Sequence, residues 1–410
     1  MMFTPPRRAV VAGAAALLAV PHRAWAASDD DGRLRAALDA LPKGGDPAVK
    51  LAALRGFDPA RLSLSSRLDL MTVRDGLMVD SEIARRFPGV DPVRGYAATP
   101  TADHPAYFAL LLRRRLGAVD IPAARRRLEA ERDRLLHRAD AVLRRVGQGK
   151  GTTGARFTAL FADQRWLYSD DEAGRDRAVA DMNRELAARR RQVSLAFDAI
   201  PPWCLDVRAT RMSRAEELAG KPGRRELPAP GKAGAYLVDL KEIRRRPSWT
   251  LPSVVAHELL PGHMIQLPIE VAADPHPLRL EYTPAFAEGW GVYAEQLAAA
   301  EGAFGDPMAE LGHLHWLLFR VGRGLVDIAI HCDGWSVERA RAQLVAWQGE
   351  PAYFAPFDTD LARIVAEPAS RAAEALAWLA ITDRAPRAVR ARKAFHRDML
   401  AGGRKRLELA

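Results

Sequence analysis

Residues 257–263 read His257-Glu258-Leu259-Leu260-Pro261-Gly262-His263, and the shape of the chain turns on how that run folds. Two imidazoles with an acid beside the first are the parts of a zinc hydrolase. In such a site the His residues hold the ion and the Glu handles a proton. The familiar HExxH arrangement puts its His residues four apart, on one helical face. Here they lie six apart, roughly 120° off that face on a straight helix. The rings converge only if the helix opens by about two residues between them. Pro261 lacks an N–H and clashes with the preceding turn, and Gly262 tolerates unusual dihedrals, so a break is predicted at that point.

Downstream, segment 284–300 reads PAFAEGWGVYAEQLAAA. Phe286, Trp290, Tyr293 and Leu297 recur at helical spacing, with Val292 and Ala299 opposite, so this helix is apolar nearly all round and is predicted to be buried. Its charged residues before Glu301 are Glu288 and Glu295. A buried carboxylate is costly unless it is paired or binds metal. Glu288 follows His263 by 25 residues, enough for a second helix to return and supply a third ligand. A structural ion pair with one of the many arginines is the alternative for both acids.

Segment 306–331 starts on Asp306-Pro307, a good helix start, and has an apolar body. His313, Arg320, Arg323 or Gly324, Asp327 and His331 run along one side. Such a stripe faces water or lines a polar cleft. In a cleft, Arg320 or Arg323 would hold a substrate carboxylate. His331 would donate to a developing oxyanion, and Asp327 would orient a metal-binding histidine. Tyr293 and Glu295 join them as candidates for substrate binding or for support of the ligands. His104, His137, His276 and His315 receive no role. There is no G-x-S-x-G elbow, P-loop or dinucleotide-binding glycine fingerprint.

Across the chain the dominant period is helical. Leu128, Leu135, Ala139, Val142 and Val146 form an apolar stripe among Arg and Glu. Similar patterns cover about 34–55, 63–87, 104–116 and 171–199. Two stretches read as extended, 204–210 and 235–240, where Tyr236, Val238 and Leu240 alternate. Segment 220–233, rich in Gly, Pro and Lys, reads as a surface loop. It separates an N-terminal helical region, 27–219, from a metal-bearing region, 220–410, the two forming one continuous domain. The predicted fold is mainly α with a minor β element.

Residues 1–26 read as an export signal. Arg7-Arg8 precede an apolar run from Ala9 to Val20, and Ala24-Trp25-Ala26 is an A-x-A cleavage site. Twin-arginine export and an ordinary secretory signal are both open. The expected location is periplasmic or secreted. No later run is apolar enough to span a membrane. The 410 residues carry a net charge of +10; losing Arg7, Arg8 and Arg23 with the signal leaves +7. The excess is spread along helical faces, and nucleic acid is a poor partner for an exported chain with no binding module. Anionic peptides or envelope polymers suit such a surface better. The two cysteines, Cys204 and Cys332, are either a disulfide or two buried thiols. Oligomeric state cannot be read from the sequence.

HELLPGHMIQ followed by FAEGWGVYAE and VDIAIHCDGWS resembles the bacterial family labelled domain of unknown function 885. Its pattern is HExxPGHxxQ, then F-x-E-G-W-x-x-Y-x-E, then V-D-x-x-I-H-x-x-G-W-S. AYLVDL and PPWCLDVRAT also resemble the family's approach to the metal helix. The resemblance implies a large helical metallopeptidase-like fold and one zinc ion. It implies His257, His263 and Glu288 as ligands, with Glu258 as general base. In one place the chain departs: the family continues with W-P-G-Q-A-x-S-Y-K, whereas Ala366 to Trp378 reads AEPASRAAEALAW. The Tyr and Lys are lost, leaving Tyr353 or His331 as stand-ins. The expected function is therefore a zinc-dependent hydrolase of short peptides. A binding or scaffold protein without turnover, and an amide hydrolase of non-peptide molecules, are the alternatives.

Overall fold

The computed structural model describes residues 29–88, 104–349 and 357–409. The export signal and Tyr353 lie outside them. The described residues are mainly α-helical, with one three-stranded sheet.

At the centre lies a long helix, Pro307–Asp333, buried without a gap from Leu311 to Ala329. Asp306 caps its start by accepting from the N–H groups of Met308 and Ala309, and Gly334 closes it in the left-handed conformation. A helix with no solvent face must be wrapped on every side. Here the wrapping comes from Ile121–Arg145, Val337–Gln348 and Ser370–Arg384, together with Leu251–Glu258, which carries His257. The acidic helix, Pro284–Ala300, packs along Ser370–Arg384.

Strand β1 (Val207–Arg211) pairs in parallel with β3 (Gly234–Val238), and β2 (Arg224–Glu226) pairs antiparallel with β3 on its other side. β2 falls within the stretch expected to be a surface loop. Its three residues are too few to show a period, so no alternation marks it. The sheet also runs across residue 220, joining the two regions read from the sequence. The helical pattern at 34–55 resolves into two helices, Asp29–Asp39 and Pro47–Ala53. Pro42, Gly44 and Gly45 lie between them, both glycines at positive φ. Cys204 and Cys332 are free thiols.

Three residues expected at the site serve the fold instead. Asp327 accepts the backbone N–H groups of Ala369, Arg371 and Ala372 at 3.1, 3.0 and 3.0 Å. The first turn of Ser370–Arg384 has no capping side chain of its own, so the long helix supplies the cap from across the interface. Burial pushes the Asp327 carboxyl up to about 7 against the pull of those N–H groups. His331 bonds through Nε2 to the Ile364 carbonyl at 3.0 Å and stacks on Phe108. Burial pushes it down to about 4, which keeps the ring neutral. Tyr293 lies 2.7 Å from His396 Nε2. The other His396 nitrogen bonds the Ala196 carbonyl and so carries the ring proton, which makes Tyr293 the donor. The polar stripe misled because His313 to His331 covers about 27 Å of helix axis, and its ends meet different neighbours from its middle.

Replacing Asp327 by Ala orphans three N–H groups. It should lower stability by about 2–3 kcal/mol in urea unfolding and leave divalent-metal affinity unchanged. Unchanged stability with weakened metal binding would restore the orienting role.

Candidate metal centre

Helix Leu251–Glu258 stops just after His257 and Glu258, and a new helix, His263–Ala272, begins on the second histidine. Residues Leu259 to Gly262 interrupt the two. Pro261 has no N–H to continue the ladder. Gly262 is needed because a Cβ there would stand 1.9 Å from the His257 carbonyl oxygen. The interruption turns the second ring back onto the first. The ring centroids are 4.8 Å apart, with planes at 84°.

Each ring is held from behind through Nδ1. His257 Nδ1 lies 2.8 Å from Glu295 Oε1; a carboxylate only accepts, so Nδ1 carries a proton and Nε2 is the nitrogen turned toward Glu288. Ser253 donates to the other Glu295 oxygen at 2.6 Å, and His313 Nδ1 is 3.7 Å from it. His263 Nδ1 contacts Gln266 Oε1 at 3.4 Å, Gln266 donates to Glu270 at 3.1 Å, and Arg404 clamps Glu270 at 2.7 and 2.8 Å. Such outer partners fix the ring orientation of ligand histidines. Gly291 provides the room, since a Cβ there would lie 2.6 Å from His257 Cε1.

Glu288 closes the set. Its oxygens lie 3.6 Å from His257 Nε2 and 3.6 Å from His263 Nε2. One ligand atom from each residue falls within 4.8 Å of the others. An ion bound tetrahedrally by such donors needs them about 3.3–3.5 Å apart. His263 Nε2 is buried and has no hydrogen-bond partner among the described residues, an arrangement that costs energy unless something binds it. Two imidazoles and one carboxylate are a donor set that zinc accepts, so these residues fit the ion.

The electrostatics agree with a site built for positive charge. Burial disfavours a charged His257, but bonds to Glu288 and Glu295 outweigh it and push the ring up to about 9. Burial would raise both acids, yet the histidines hold Glu295 at about 2 and, with Arg320, keep Glu288 well below the usual carboxylate range. Burial and nearby Arg225 lower His263.

Two arginines touch the centre. Arg320 Nη1 is 3.2 Å from Glu288 Oε2, and its Nη2 is 3.4 Å from His257 Nε2. A cation bound here competes with Arg320 for Glu288. Arg225, from β2, donates Nε to Glu258 Oε2 at 2.6 Å. Its strand partner Tyr236 lines the same cleft. Arg225 and Tyr236 were not recognised in the sequence, and neither were Ser253 and Gln266 as supports. The alternation around Tyr236 marked a strand but not what the strand faces.

Of the expected residues, the structure gathers His257, Glu258, His263, Glu288, Glu295, Arg320 and Arg323 around one cleft or directly behind it. It does not bring His331, Asp327 or Tyr293 there. In the departing stretch, Ala369 takes φ 65° directly after Pro368, where the family pattern has Gly. Left-handed backbone costs a non-glycine residue about 1–2 kcal/mol.

The chain belongs to the family described as bacterial protein of unknown function (DUF885), which matches residues 48–407. It is similar in fold to a protein from Colwellia psychrerythraea described as a candidate lipoprotein. That match has 21% identity and a TM-score of 0.66, and covers 92% of this chain and 67% of that one. It is also similar to a candidate lipoprotein of unknown function from Shewanella oneidensis, at 17% identity and a TM-score of 0.58, covering 92% and 71%. No curated protein matches the chain.

Replacing Glu295 by Gln removes the carboxylate behind His257. Zinc affinity, measured by competition with a chelator, should fall by about 10–100-fold. An unchanged affinity would show that Glu295 serves only the core.

Proposed function

We propose that this chain is an exported zinc-dependent hydrolase acting on short peptides. The observation that carries the reading is the convergence of His257 Nε2, His263 Nε2 and Glu288, next to Glu258 in an open cleft. His257, His263 and Glu288 would hold a divalent ion, which would supply Lewis acidity and lower the pKa of a water molecule toward neutrality. Glu258 accepts the proton of the attacking water and returns it to the leaving amine. Arg225 grips Glu258 Oε2 at 2.6 Å, which fixes the carboxylate and leaves Oε1 to carry the proton. Arg225 and Tyr236 line the same cleft and would be the donors for a carbonyl oxygen that gains charge, a task the missing Tyr-Lys pair would otherwise fill. The leader with Arg7-Arg8 and its apolar run, together with likeness to two candidate lipoproteins, supports export to the periplasm or beyond.

A second reading has its own observation. Arg320 already holds Glu288 at 3.2 Å, as expected of a binding protein that keeps the fold without turnover. Cleavage of a peptide library by the zinc-loaded protein separates the two. Hydrolysis should require metal and stop with chelator. Glu258→Gln should keep one zinc per chain and lose about 10³-fold in kcat; full turnover in that variant contradicts the mechanism. Arg225→Ala should lose about 10²-fold at unchanged zinc content. Zinc bound with no member of the library cleaved favours the scaffold.

A further inference from the structure

The cleft extends beyond the ligand set, with a volume of about 440 Å³. Seven arginines and five carboxylates line it, a balance of +2 that a divalent ion would raise further. A cleft with excess positive charge concentrates anions.

One part of the wall is under-satisfied. Arg323, only 6% exposed, lies 3.3 Å from Asp360 and 3.5 Å from Glu374. Charge-assisted bonds normally close to about 2.7–2.9 Å. Its Nε has no acceptor among the described residues, and its guanidinium lies 4.3 Å from the Phe319 ring centroid. Arg371 bonds Glu374 at 2.5 Å, and its Nε too has no acceptor among the described residues. A buried guanidinium with weak partners is costly, and Arg323 and Arg371 both line the cleft, where an oxyanion would add to the long pairings of Arg323.

The spacing indicates where that anion sits. Arg320 touches the ligand atoms. Arg323 follows three residues later on the same helix, about 4.5 Å further along its axis. An extended peptide advances about 3.3–3.6 Å per residue. We infer that Arg323, with Arg371 beside it, forms a subsite for a substrate carboxylate about one residue beyond the bond attacked. That carboxylate is the C-terminus of a peptide losing its last residue, or the acidic side chain of the residue after the scissile bond. The position of the bond rests on the hydrolase reading; the carboxylate subsite itself is tested by binding.

The probe is N-acetylated tetra-alanine with an N-methylated last peptide bond, which resists cleavage, made as free acid and as C-terminal amide. Each is titrated calorimetrically into the zinc-supplemented full chain. The acid should bind about tenfold or more tighter than the amide. Arg371→Gln should shrink that ratio without weakening the amide. Arg323→Gln should do the same; if circular dichroism shows it unfolded, Arg371→Gln decides. A matched pair of amides ending in Glu or Gln distinguishes the sources: preference for Glu supports a side-chain carboxylate, and preference for the free acid alone supports the terminus. Equal binding within both pairs, or no binding at all, overturns the subsite. Cleavage of ordinary peptides with no acid preference overturns it while leaving the hydrolase standing. Acid preference without cleavage does the reverse.

Discussion

The interruption at Leu259–Gly262 is the constraint on which the rest of the structure depends. A continuous helix would aim His257 and His263 in directions roughly 120° apart. With the break, two short helices meet at an angle and the rings stand 4.8 Å apart. The break also sets what surrounds it. The reversed chain passes so close to the His257 carbonyl that only glycine fits. The acidic helix approaches so closely at Gly291 that a methyl group would strike the His257 ring. From there Glu288 reaches both Nε2 atoms, and Glu295, seven residues on, reaches the back of His257.

Buried charge is the second theme. His257, His263, Glu295 and Glu270 are each 5% exposed or less, which is tolerable only in a network where each polar atom has its partner. Two chains of bonds supply this, Ser253–Glu295–His257 and Arg404–Glu270–Gln266–His263. They leave the two Nε2 atoms pointed at one place, with His263 Nε2 lacking a hydrogen-bond partner among the described residues. The arginines of the cleft then act as counter-charges to its acids. Arg225 holds Glu258, Arg320 holds Glu288, and Arg371 holds Glu374.

Much of this was legible in the sequence where a local rule governs. Apolar periodicity marked the helices around 121–145 and 172–196, alternation marked β3, and Pro261-Gly262 marked the break. Spacing suggested Glu288. The resemblance to the family, which the match over residues 48–407 establishes, joined these into one site. Legibility ended where a residue's role depends on which neighbour covers it. Asp327 and His331 share a face with Arg320 in sequence, but the helix is buried on all sides, so a shared face says nothing of a shared environment. Arg225 sits in a three-residue strand inside a Gly- and Pro-rich stretch, where no period can develop. Its partner Glu258 lies 33 residues away, a pairing that exists only because β2 lies on the outer side of β3.

Two imidazoles six positions apart and the acid of a later helix are proposed to hold one divalent ion. Anomalous diffraction at the zinc edge from crystals of zinc-supplemented protein tests it most directly. The account predicts a single strong peak about 2.0–2.2 Å from His257 Nε2, His263 Nε2 and a Glu288 oxygen, with Arg320 drawn off that oxygen. No peak between those residues, with Arg320 still on Glu288, would contradict it.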